Sequence, residues 1–94
     1  MSRVEKFVVI YDIKNNKNRM RLARLLFEYG IRTQLSVFEV EVKEKEYRRF
    51  MKLIERKIKT DGDKIYIYPL DDKSFKRIQR LGDWKNSIIN DFFI

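Results

Sequence analysis

The sequence predicts an α+β sandwich, with helices packed on one face of a sheet. Three observations carry that expectation. The segments run strand, helix, one or two strands, helix, strand. The helical segments place apolar residues three and four apart, along one stripe. The extended segments are rich in β-branched and aromatic residues and end at polar turns. At 94 residues the chain is expected to form one domain, 1–94.

Phe7-Val8-Val9-Ile10-Tyr11 is an unbroken apolar run, expected as a central strand buried on both faces. It stops at Asp12-Ile13, and Lys14-Asn15-Asn16-Lys17-Asn18 reads as a polar turn. Asn15, Asn16 and Asn18 are each able to cap the helix that follows. That helix is expected from about Lys17 to Tyr29, with Gly30 in the left-handed position that ends many helices. Lys17 and Arg19 fall in its first turn, where cations oppose the helix dipole, a hint that they serve something else.

The run Ile31 to Val42 is extended, and turn chemistry alone would make it one strand. However, its polar residues change parity near Phe38, from Gln34 and Ser36 to Glu39 and Glu41. A bend or bulge there would split it in two. Glu44 to Lys59 reads as an amphipathic helix with Tyr47, Phe50, Met51, Ile54 and Ile58 on its apolar stripe. Asp61-Gly62-Asp63 is a turn. Lys64 to Tyr68 alternates as a strand that Pro69 is expected to end. Ser74 is placed to cap a short helix. If the middle run splits, the order is the ferredoxin-like βαββαβ arrangement. Residues 83–94 hold Ile88, Ile89, Phe92, Phe93 and Ile94, which need burial. A further C-terminal strand on a partner's sheet edge would supply it, with Trp84 as a docking residue for that tail.

Lys and Arg number 22 against 14 Asp and Glu, for a net charge of +8, and the pI is about 9.8. Such a balance points to an acidic partner, with nucleic acid ahead of an anionic membrane. The chain has no Cys and no His. That excludes disulfides, thiol catalysis, imidazole catalysis and Cys or His metal sites. Any general acid or base must be Asp, Glu, Lys, Tyr or water. The N-terminus does not read as a signal peptide, and no stretch approaches the roughly 20 apolar residues that cross a bilayer. The expected protein is soluble and cytoplasmic.

Asp12 is the residue best placed for chemistry. It follows the apolar strand directly, where a carboxylate can point into a cleft. Between Lys14 and Arg32 there are six Lys/Arg and one acid, Glu28. A carboxylate ringed by cations suits Mg²⁺ and a phosphodiester: the acid holds the metal and the cations hold the phosphates. The alternative is that Asp12 caps the turn or pairs with Arg19 or Arg21. One carboxylate binds Mg²⁺ weakly, and a two-fold dimer would bring a second copy of Asp12. Glu39 and Glu41 read as a solvated strand face, and Asp71-Asp72 as loop. Tyr66 and Tyr68 read as packing rather than as stacking platforms.

Four segments in order complete the reading: Val8-Val9-Ile10-Tyr11-Asp12-Ile13, Arg19-Met20-Arg21-Leu22, Gly30 through Glu39, and Ile65-Tyr66-Ile67-Tyr68-Pro69-Leu70. Together they resemble the CRISPR-associated endoribonuclease family, the smaller of the two universal spacer-adaptation proteins. The resemblance implies a ferredoxin-like homodimer whose C-terminal strands cross to the partner. It implies Mg²⁺ held by Asp12 of both subunits, and Tyr11 and Ser36 beside it in the catalytic cleft. Arg19, Arg21, Arg32 and Phe38 would meet nucleic acid, and Arg24 is expected to join them as one of the cations that follow Asp12. The implied role is a Mg²⁺-dependent endoribonuclease or endonuclease of spacer acquisition, acting on RNA or double-stranded DNA in antiviral defence. An integrase subunit would be its partner. Two other roles fit the same residues: a non-catalytic DNA-binding adaptor between integrase subunits, and an RNA-cleaving toxin of the same fold.

Overall fold

The computed structural model describes residues 3–82. The tail at 83–94, with Trp84 and the expected crossing strand, lies outside the described residues. The elements are β1 (Val4–Asp12), α1 (Asn16–Phe27), β2 (Gly30–Gln34), β3 (Val37–Lys43), α2 (Tyr47–Glu55), β4 (Lys64–Leu70) and α3 (Asp72–Lys76). The four strands form one sheet in the order β2-β3-β1-β4, and every neighbouring pair is antiparallel.

β1 is central, as its apolar run requires, but it is not buried on both faces. Phe7, Val9 and Tyr11 are buried, whereas Ile10 is 38% exposed. The registers Val9↔Phe38 and Val9↔Ile67 set the inward rows of β3 and β4 beside that of β1. Phe38, Val40 and Val42 therefore join the core with Leu22, Leu25 and Leu26 of α1 and Phe50 and Ile54 of α2. Burying each of these large side chains is worth about 1.5–3 kcal/mol. Phe27 meets Phe38 edge-on at 4.9 Å, and Tyr29 meets Phe50 likewise at 4.8 Å.

Asn15 is the residue that caps α1, its side chain accepting from the Asn18 N–H at 3.0 Å. Gly30 is not in the left-handed region; among the described residues only Gly62 and Gly82 have positive φ. Its role is spatial. A Cβ on Gly30 would stand 1.9 Å from the Glu39 carbonyl oxygen, so glycine lets β2 lie tightly against β3. The split of the middle run is real but sits at Leu35-Ser36, before the parity change, with a bulge between Arg32 and Gln34.

α2 begins at Tyr47 after a 3-10 turn and stops at Glu55, short of the expected Lys59. Asp63 explains the early stop. Its carboxylate takes the backbone N–H groups of Lys59 and Thr60 at 3.2 and 3.1 Å, holding them in a loop. Ile58 is left 46% exposed. β4 runs through Pro69 to Leu70 because it is an edge strand among the described residues, where a missing N–H is tolerated. Asp71, not Ser74, caps α3: its carboxylate accepts from the Ser74 N–H at 2.7 Å.

The sheet face away from α1 and α2 is partly covered by α3 and the chain after it. Glu39 is not solvated there; it is 6% exposed and paired with Arg80 through two hydrogen bonds, one of 2.9 Å from Nε. The Glu39 carboxylate raises the pKa of Arg80 further. Lys6 ties the same segment, pairing with Asp72 at 3.3 Å and lying over the Phe75 ring at 5.2 Å. Tyr66 and Tyr68 stack on each other at 6.3 Å and stay about half exposed on this face.

Candidate functional site

The end of β1 is fixed by its two buried neighbours. Tyr11 and Ile13 are each 3% exposed, and Asp12 between them points the other way, into solvent. The turn that splits the middle run docks on Tyr11 twice. The Tyr11 N–H donates to the Ser36 carbonyl at 3.1 Å, and its phenol donates to the Leu35 carbonyl at 3.0 Å. Arg32 donates to the same phenol at 3.4 Å. Its guanidinium lies 5.4 Å from the ring centres of both Phe27 and Phe38, where stacking holds its charge at the cleft edge. Across the cleft, Arg19 of α1 donates to the Ile13 carbonyl at 3.0 Å and to the Asn16 side chain.

These contacts shape a cleft of about 640 Å³ lined by Tyr11, Asp12, Ile13, Asn16, Arg19, Met20, Arg32, Leu35 and Ser36. Five of the residues singled out from the sequence thus share one wall or another of it: Tyr11, Asp12, Arg19, Arg32 and Ser36. The others lie elsewhere. Arg21 lines a separate groove between α1 and the end of α2, and Arg24 is exposed further along α1. Phe38, expected to meet nucleic acid, has no exposed surface. Its parity on β3 turns it toward the helices, so it acts as the floor beneath Arg32.

Asp12 pairs with neither Arg19 nor Arg21. Its carboxylate oxygens stand 3.2 and 3.3 Å from the Lys14 ammonium. Arg21 instead donates to the Asn18 side chain at 3.3 Å. Lys14 is itself steadied from afar, because its backbone N–H donates to Asp63 at 3.1 Å. That N–H, with those of Lys59 and Thr60, holds the Asp63 carboxyl below its ordinary pKa. The link from Asp63 to Lys14 had no local signal in the sequence, since the two are 49 residues apart.

Among the described residues no group of three or more acidic side chains converges as a metal site. Asp12 is the one acid among the described residues that line this cleft, and one carboxylate fits Mg²⁺ only in part, since the ion takes one or two carboxylates and keeps several waters. An exposed carboxylate in a cleft with arginines on two sides defines a small basic α+β protein suited to a phosphate-bearing ligand.

The chain belongs to the CRISPR associated protein Cas2 family, whose model matches residues 5–78. A relative from Synechocystis, CRISPR-associated endoribonuclease Cas2 1, is 37% identical over 75 residues, covering 76% of this chain and 80% of that one. Among solved structures, Streptococcus pyogenes Cas2 superimposes with a TM-score of 0.72 at 29% identity, over 82% of this chain and 99% of that one. A chain of a partial Cas6-RT-Cas1–Cas2 complex matches with a TM-score of 0.63 at 31% identity, over 90% of this chain and 96% of that one.

Proposed function

We propose that this chain is a nucleic-acid-binding homodimer of CRISPR spacer acquisition, cytoplasmic and part of antiviral defence, with a Mg²⁺-dependent phosphodiesterase site at Asp12. The observation that carries this reading is the shared cleft: Asp12, Arg19, Arg32, Tyr11 and Ser36 come from four places in the chain and meet in one space. The family and the endoribonuclease name of the Synechocystis relative support it. The strand order β2-β3-β1-β4 with helices after β1 and β3 supports a ferredoxin-like fold.

Asp12 would hold Mg²⁺ together with its copy from a second subunit. Bound Mg²⁺ acidifies a water and stabilises charge on a phosphodiester. Arg19 and Arg32 are pinned by carbonyl and ring contacts, so their charges need little reorganisation to meet a phosphate. Tyr11 holds the Leu35-Ser36 turn, and with it Ser36, against the strand end.

Two observations favour a second reading, a non-catalytic adaptor that bridges integrase subunits. Asp12 already has a cation, Lys14, on its carboxylate, and the chain is similar to one within a Cas1–Cas2 assembly. Asp12→Asn separates the two. The catalytic reading expects cleavage of RNA or DNA to vanish while nucleic-acid binding stays. Cleavage that persists with the same Mg²⁺ dependence sinks it. Spacer integration that survives the loss of cleavage assigns the cellular role to the adaptor.

A further inference from the structure

The groove between α1 and the end of α2 has a composition that neither helix needs. Asn18, Arg21, Leu53, Arg56, Lys57 and Lys59 line a space of about 250 Å³. Four of the six are cationic and none is acidic. Among the described residues none of these four cations is ion-paired. Some cations elsewhere are paired, Arg3 with Glu44, Lys6 with Glu41 and Asp72, Arg80 with Glu39; what sets the groove apart is that these four unpaired cations line one space.

A cation just past the end of α2 favours the helix dipole, which accounts for Arg56. It does not account for Arg21, which projects from the first half of α1. Nor does it account for Lys59, which lies four residues beyond the last residue of α2. Of the acids near Lys59 in sequence, Glu55, Asp61 and Asp63, none is paired with it among the described residues, and Asp63 is otherwise engaged. Asp63 spends its two oxygens on backbone N–H groups, those of Lys14 at 3.1 Å and of Lys59 and Thr60 at 3.2 and 3.1 Å.

That same carboxylate joins the groove to the Asp12 cleft. Lys14, which sits on Asp12, and Lys59, which lines the groove, have their backbones fastened to one side chain. The two spaces flank the opening turns of α1, with Arg19 in one and Arg21 in the other. A helix with its side chains is about 10 Å across, a span of roughly three nucleotides at 3.4 Å rise per strand.

We infer that the α1/α2 groove is a second phosphate-binding site, taking the sugar–phosphate backbone of a nucleic acid a few nucleotides beyond the part held at Asp12. The inference rests on the nucleic-acid reading above. Contacts from its cations to phosphate oxygens fix position and carry no sequence information, so it binds without regard to sequence.

The test uses Arg56→Gln/Lys59→Gln, two exposed positions outside the Asp12 cleft. The control Arg48→Gln/Arg49→Gln removes the same charge from exposed positions of α2 outside the groove. Binding is followed by fluorescence anisotropy on a labelled DNA duplex of about 30 base pairs, some three helical turns, and on an RNA strand of equal length. The slope of log affinity against log salt is expected to fall by roughly 2 in the groove variant. The affinity lost between about 50 and 200 mM salt then shrinks about tenfold. The control pair should change neither. Equal effects from both pairs, or none from either, overturn the inference, and the latter leaves the groove to an acidic protein surface. If Arg19→Gln weakens binding while the groove variant does not, the groove alone fails. A wild-type chain that binds neither probe removes both readings.

Discussion

Replacing Gly30 with alanine tests how closely β2 and β3 are packed. Gly30 lies opposite Val40 in the register. An added Cβ would stand 1.9 Å from the Glu39 carbonyl oxygen and 2.7 Å from the Val40 Cα. Both are backbone atoms, so no side chain can swing aside. The strands must part by about 1 Å merely to reach the 3.0 Å that real Cβ contacts respect. Overpacking costs about 1–3 kcal/mol, and relief here requires backbone movement, which puts the cost near 3 kcal/mol. In a domain of this size each kcal/mol shifts the melting temperature by roughly 4–8 °C. Gly30→Ala should therefore melt about 12–24 °C below wild type in far-UV circular dichroism. β2 also carries Arg32, so the anchoring of its guanidinium between Phe27 and Phe38 should suffer as well. A melting temperature within about 4 °C of wild type would refute the close-approach argument.

Phe38→Ala should cost about 3–5 kcal/mol of stability in urea titrations, as an emptied core site does. Phe38→Leu should cost less than about 2 kcal/mol while weakening nucleic-acid binding through Arg32. Equal stability of the alanine variant and wild type would show that Phe38 is not core. Arg80→Met leaves the buried Glu39 carboxylate uncompensated, at about 3 kcal/mol, the low end for a broken buried pair because Arg80 keeps some solvent access. Asp63 and Asp71 both have carboxyl pKa values below the ordinary one, held there by backbone N–H donors. Their folded forms favour the ionised state, so their contribution is present above about pH 4. It is lost as pH falls through the lowered values. The urea midpoint should drop on acidification below about pH 4, and Asp63→Asn should drop less steeply.

Much of this arrangement is legible in sequence because it is local. The apolar run before Asp12, the asparagines ahead of α1 and the 61–63 turn each announce an element through short-range chemistry. What escaped depends on contacts between distant segments. Glu39 looks like a solvated strand residue until Arg80, 41 positions on, lies over it. Gly30 looks like a helix stop, yet the reason for glycine is the backbone of the next strand. The Leu35-Ser36 turn has no Gly, Asn or Pro and no positive φ, so its position was hidden behind an otherwise extended run. The cleft was legible through the family pattern of Tyr11, Asp12, Arg19, Arg32 and Ser36. Their spacing of up to 25 residues in the chain does not by itself say that they meet.

The Lys14 ammonium over Asp12 bears on how two subunits meet. Two bare carboxylates about 4 Å apart would repel by roughly 4 kcal/mol at a protein surface. In the proposed dimer each Asp12 would arrive with the Lys14 ammonium of its own chain beside it, which lowers that repulsion. The pair is exposed, with side chains 63% and 61% accessible, and such pairs are worth at most about 1 kcal/mol. Lys14 can therefore swing off when a divalent ion or a phosphate competes for either partner. In such a dimer assembly and loading would be separate events: the subunits would associate in a chelator, and Lys14 would afterwards be released by the incoming ligand.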